Sequence, residues 1–274
     1  MFRKLLKYEF KSQQKIFSVL SFAALGAGLV GGLVLWLLVD VLENVENSTA
    51  AAVGSILSTF LLIGVMLALV AYVIAVWIML LYRFYKHHFS QEGYLTFTLP
   101  VTTHQTLLAS ILNLVIWELI ALAVFACAIC MIFAPSLTFA WKESIPEIKM
   151  VFRNFKEAFS YIEGGYLAVQ ILVTVSSWLY AVIVPLTCIS LGCLLSKKYR
   201  ILISFAIYYG LQLAVSMITG VISVIITVAG LAAGNEGDGL IYLSMVIPCV
   251  LQLGLAIGGY FLTHHMVKNK LNLP

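Results

Sequence analysis

The sequence predicts an all-α integral membrane protein with six transmembrane helices, an N-terminal interfacial helix and both termini in the cytoplasm. Three observations predict it. The chain of 274 residues is 62% hydrophobic and 10% charged, whereas an ordinary soluble domain is about 45–50% apolar and about 25% charged. Six apolar runs are each long enough for the roughly 20 residues of helix that cross a hydrocarbon core. Basic residues also divide unevenly between the segments that join those runs.

Residues 1–16 come first, "MFRKLLKYEFKSQQKI". Phe2, Leu5, Leu6, Glu9/Phe10, Gln13 and Phe17 follow helical spacing imperfectly, and Arg3, Lys4, Lys7, Lys11 and Lys15 occupy much of the remaining surface. That pattern suits a helix on the inner leaflet, where lysine meets anionic lipid. It also suits lysines that do no more than enforce orientation. The apolar run that follows is much longer than the roughly 7–15 residues of a secretory signal, so the first span is expected to be retained.

The spans are expected at about 17–39, 53–82, 107–134, 165–195, 201–233 and 240–266, within a single transmembrane domain covering 1–274. With both ends inside, twelve of the sixteen Lys and Arg fall on the cytoplasmic side. Only Lys142, Lys149, Arg153 and Lys156 lie outside. The positive-inside rule fixes the topology on that asymmetry, and counting the fifth run as two spans would move Lys268 and Lys270 to the wrong side. Between spans three and four, the extracellular segment 135–164 places Ile148, Phe152, Phe155 and Phe159 at helical steps. It reads as an amphipathic helix resting on the outer leaflet or capping the spans.

Five cysteines, Cys127, Cys130, Cys188, Cys193 and Cys249, all lie in apolar runs, where free cysteine behaves as a small hydrophobe. The Cys127/Cys130 pair has C-x-x-C spacing but lacks the polar surroundings of a redox or metal site. His87–His88 and His264–His265 are adjacent pairs near the inner surface, and neighbours on a helix point about 100° apart, a poor chelate. No metal site is expected. Glu118, in "NLVIWELIAL", is the sole formal charge within a span. Counted from residue 107, it lies roughly 16 Å deep, and Gln212 and Gln252 come out at similar depths. Two uses are open for these intramembrane polar residues: a station on a transport path, or buried hydrogen bonds that pin helices together. Gly28/Gly32 and Gly254/Gly258 have G-x-x-x-G spacing, which favours close helix contacts. Pro185 and Pro248 interrupt spans four and six, where they could bend the helices.

The segment 83–106 carries the remaining signal. It holds "HHFSQEGYLTFTLPVTTHQ": a basic-aromatic span end, a short element, a stop at Pro100, and T-x-x-Q, a capping box that starts a new helix at Thr102. Tyr94, Leu95, Phe97 and Leu99 are apolar groups in a cytoplasmic loop. They either fold back on the spans or are offered to a partner as aromatic anchors.

"EGYLTFTLPVTTHQTLLASIL", the opening "LLKYEFK" and the six-span pattern resemble the membrane subunits of type-2 ATP-binding-cassette exporters of Gram-positive bacteria. The resemblance implies a coupling helix that docks on a separate ATPase, formed here by Glu92, Gly93, Tyr94, Leu95, Thr96, Phe97, Thr98 and Leu99. It implies ATP and Mg handled by that partner with no cofactor bound directly, a second permease subunit (homo- or heterodimer), and a bacterial plasma membrane. The chain differs from better-known members in its outer element, which follows span three instead of span five. No G-x-x-x-x-G-K-[S/T] cradle for nucleotide occurs, so the chain is not expected to be an enzyme itself. The expected function is outward movement of an amphipathic or hydrophobic substrate, a peptide in preference to a lipid or drug. The alternatives are a proton-coupled secondary transporter using Glu118 and a non-transporting immunity or sensory protein. No nucleic-acid role is expected.

Overall fold

A computed structural model describes residues 2–44, 48–90, 93, 102–139, 149–150, 153–154, 164–196, 198–232 and 238–269. Among these residues the regular secondary structure is helical, most of it in six long helices: α1 (Phe2–Asn44), α2 (Ser48–Phe89), α3 (Thr103–Phe139), α4 (Gly164–Leu195), α5 (Arg200–Ala232) and α6 (Asp238–Asn269). All six are long and apolar enough to cross a membrane. The chain is thus a multi-pass, all-helical membrane protein.

The helices begin and end where the local chemistry directs. Thr102 is non-helical, and its Oγ1 accepts the Gln105 N–H at 3.4 Å while its carbonyl accepts the same N–H at 2.9 Å. That is the hydroxyl half of the capping box, satisfying one of the donors a helix start leaves free. Between α4 and α5, Ser196 Oγ accepts the Tyr199 N–H at 3.1 Å. Lys86 stands in the last turn of α2, where its positive charge complements the helix dipole. α4 and α6 continue through Pro185 and Pro248.

α1 runs unbroken from Phe2 to Asn44, so residues 2–16 are the first four turns of the same helix that holds the first span. Of the expected extracellular segment 135–164, residues 135–139 prolong α3, Gly164 opens α4, and 149, 150, 153 and 154 are helical; its aromatic stripe lies outside the described residues.

Two compact units make up the chain. The N-terminal unit comprises Arg3–Leu80 and Leu112–Glu157. In it, Trp117 of α3 stacks between Phe10 and Phe17 of α1, at centroid distances of 4.7 and 4.6 Å. Further along, a Cβ added to Gly28 would lie 2.9 Å from Ala128 Cα, so α1 and α3 touch backbone to backbone there. Gly31 faces both Val65 of α2 and Ile132 of α3. The Ser21 and Tyr72 hydroxyls sit 3.3 Å apart.

The C-terminal unit comprises Met1–Phe2, Leu81–Ile111 and Ala158–Pro274. Here α4 packs against both α5 and α6. Its core holds Tyr180, Val184 and Cys188, covered by Ile207, Tyr208, Leu211 and Leu255. Gly192 permits a close approach of α4 to α5, since an added Cβ would lie 2.7 Å from Ser204 N. Gly259 does the same for α6, facing Thr187 Oγ1 at 2.7 Å from that ideal Cβ. Of the two G-x-x-x-G pairs, the first thus includes a close contact at Gly28, while at Gly254 and Gly258 an added Cβ would meet nothing within 4 Å among the described residues.

Candidate functional site

The candidate site residues fall into three groups. In the C-terminal unit, Gln252 Oε1 accepts a hydrogen bond from Ser177 Oγ at 2.8 Å. Gln212 Oε1 accepts one from Tyr180 OH at 2.9 Å. Ser177 and Tyr180 are three residues apart on α4, hence neighbours on one face. Gln212 from α5 and Gln252 from α6 therefore converge on one stretch of α4. Lower on the same helix, Thr263 Oγ1 of α6 donates to Thr187 Oγ1 at 3.2 Å. The result is a ladder of polar contacts down α4, reaching both partner helices. The α4 members of this ladder are not evident from sequence, because isolated Ser, Thr and Tyr in an apolar run carry no charge signal. Their spacing against Gln212 and Gln252 was the available clue.

Glu118 belongs to the N-terminal unit and is half-buried. The contacts of Phe10 and Phe17 with Trp117, of Gly28 with Ala128 and of Gly31 with Ile132 rise together. α1 and α3 therefore run in the same direction, and Trp117 lies between the levels of Phe10 and Phe17. Glu118 follows directly, so it stands close to the level of Lys15, the last of the N-terminal lysines. Asn113, one turn before Trp117, and Gln13, between the two phenylalanines, are buried at this crossing.

The third group surrounds the expected coupling segment. Of its eight residues, Glu92, Tyr94, Leu95, Thr96, Phe97, Thr98 and Leu99 lie outside the described residues. Gly93 is described and buried, and its N–H donates to Ser90 O at 2.9 Å. A Cβ added there would lie 2.7 Å from the His88 carbonyl oxygen, a clash with backbone that cannot swing aside. Glycine is needed because the chain folds back against the end of α2. His88 is fully buried and its Nδ1 donates to Phe84 O at 3.3 Å. Beyond the segment, His104 Nδ1 lies 3.2 Å from Tyr260 OH, and its ring stacks on His264 at 3.5 Å.

All five cysteines are free thiols, with Cys127 and Cys130 exposed and Cys188 and Cys249 buried. Among the described residues, no cluster of three or more His, Cys, Asp or Glu is arranged to hold a metal.

Fold and site together define an integral membrane protein with six helices among the described residues long and apolar enough to span, and a polar ladder in its C-terminal half. Comparison with family models, with curated proteins and with solved structures yields no match.

Proposed function

We propose that the chain is the membrane subunit of a type-2 ATP-binding-cassette exporter in a bacterial plasma membrane. It would work as a dimer with cytoplasmic ATPase subunits and move an amphipathic or hydrophobic substrate outward, a peptide being favoured. The observation that carries this reading is the block "EGYLTFTLPVTTHQ" between the second and third spans. Gly93, turned back on the His88 carbonyl just past the end of α2, supports it, since α2 ends before that block begins. Nucleotide-driven closure of the ATPases would pull on residues 92–99, and ATP with Mg would be held by those partners.

In this reading both termini are cytoplasmic, and residues 2–16 of α1 meet the inner headgroups with their lysines. Glu118, near the level of Lys15, then stands at the inner rim of the hydrocarbon. A carboxylate there costs far less than one at the midplane. This placement weighs against a proton-carrying role for Glu118 halfway across the membrane.

Photo-crosslinkers placed at Tyr94 and Phe97 in living cells are expected to capture an ATPase subunit. Tyr94→Ala with Phe97→Ala should lower ATPase co-purification by about tenfold or more, as truncation of aromatic hot spots does. Capture of lipid alone, or of this same chain alone, would remove the proposal. Transport that persists without ATP but collapses with the proton gradient would select a secondary transporter.

A further inference from the structure

We propose that the two helix ends flanking the coupling segment are clamped to the C-terminal helices, the end of α2 by Arg200 of α5 and the start of α3 by His104 against α6. Arg200 and His104 act as positioning residues that direct any pull on the segment into α5 and α6. The mechanical part rests on the function proposed above.

The first clamp is a helix cap supplied from elsewhere in the chain. Arg200 Nη1 donates to the Phe89 carbonyl oxygen at 3.4 Å. Phe89 is the last residue of α2, and its carbonyl is among the four that a helix end leaves without an internal partner. A guanidinium at that place also complements the negative end of the helix dipole. The carbonyl is held in position because His88 and Phe89 are buried and their rings pack with Phe84. Arg200 opens α5, so the cap ties the end of one span to the start of another.

The second clamp lies just past Thr102. His104 is in the first turn of α3, with its Nδ1 3.2 Å from Tyr260 OH. Its ring stacks on His264 with an interplanar angle of 13°. Tyr260 and His264 are one turn apart on α6, so a single side chain of α3 grips two successive positions of that helix. The twelve residues between Phe89 and Thr102 are thereby bracketed by contacts to α5 and α6. In keeping with this, Leu81–Ile111 forms one compact unit with Ala158–Pro274. A segment hung freely between α2 and α3 would pass a pull mainly to those two helices. A segment clamped this way delivers it to the helices that bear the polar ladder.

The test is hydrogen exchange on the full chain in nanodiscs, comparing the unaltered protein with Arg200→Gln, His104→Leu, Tyr260→Phe and Arg200→Lys. Exchange of amides 90–102 is expected to rise about tenfold in Arg200→Gln and His104→Leu. It should rise less in Tyr260→Phe and Arg200→Lys, with amides 20–35 of α1 unchanged as a folding control. Unchanged exchange at 90–102 in both strong variants would overturn the clamps, and this readout needs no ATPase. If the strong variants fail the control, the two conservative ones decide on the same criterion.

With the ATPase bound, adding ATP and Mg should alter exchange at 257–267 of α6 in the unaltered chain. That response should be lost in Arg200→Gln and His104→Leu while basal ATP hydrolysis is retained. A response that survives in the strong variants, or is absent from the unaltered complex, would overturn the transmission role. A chain that recruits no ATPase would instead remove the proposed function, and exchange at 90–102 would still decide the clamps.

Discussion

Gly192→Val is expected to disrupt the C-terminal unit, and Gly192→Ala to weaken it measurably. The ideal Cβ at this position lies 2.7 Å from Ser204 N and 2.8 Å from Ser204 Cα, both backbone atoms that no rotamer change can move. The two helices would have to separate at this crossing. Ser204 Oγ, which bonds Arg200 O at 2.7 Å, would shift with them. Overpacking of this kind costs about 1–3 kcal/mol for a methyl and more for a branched side chain. Helix propensity works the other way, since Ala is favoured over Gly by about 1 kcal/mol in a helix interior. Gly254→Ala and Gly258→Ala are therefore the controls. Neither has an atom within 4 Å of the ideal Cβ, so both should be neutral or slightly more stable. Thermal unfolding in detergent reads the series. If Gly192→Ala matches Gly258→Ala, the helices do not cross this closely.

Trp117→Ala is expected to cost about 3 kcal/mol, at the low end for a buried tryptophan, because the unfolded chain in lipid still covers part of the indole. The side chain is 5% exposed and loses two stacked partners, Phe10 and Phe17, on truncation. Trp117→Phe should cost far less, about 1 kcal/mol or below, because it keeps a ring in the sandwich. It also removes an indole N–H that is buried with no hydrogen-bond acceptor among the described residues, which offsets part of the lost area. A second readout follows from the packing of α1 on α3. Proteolysis at the N-terminal lysines should accelerate in Trp117→Ala and stay unchanged in Trp117→Phe. Equal stability for the two variants would mean that the first turns of α1 do not rest on α3.

The six helices were legible because hydrocarbon demands a long uncharged run, and few other structures supply one. α4 illustrates the best case: the expected span at 165–195 became a helix at Gly164–Leu195, bounded by a glycine pair and by Ser196. α1 illustrates the limit. Hydropathy marks where lipid is met, not where the helix stops, so the charged turns at 2–16 read as a separate element. Trp117, beside Glu118, gives no signal in the sequence, because one aromatic in an apolar run looks like bulk. Its partners, Phe10 and Phe17, are about a hundred positions away. The Arg200 cap was equally invisible, since its acceptor is a main-chain carbonyl and carries no residue code at all.

The apolar faces of α2 and α5 have a consequence for the surrounding lipid. On α2, exposed apolar side chains run from Val53 to Met79, and on α5 from Ile201 to Val228. At 1.5 Å per residue each band is about 40 Å long, against a hydrocarbon thickness of about 30 Å. This excess is positive hydrophobic mismatch, relieved by tilting a helix, about 40° if tilt alone accommodates it, or by thickening the bilayer locally. Short-chain lipids would steepen the mismatch and longer acyl chains would relax it, so bilayer thickness becomes a control on how upright these helices stand.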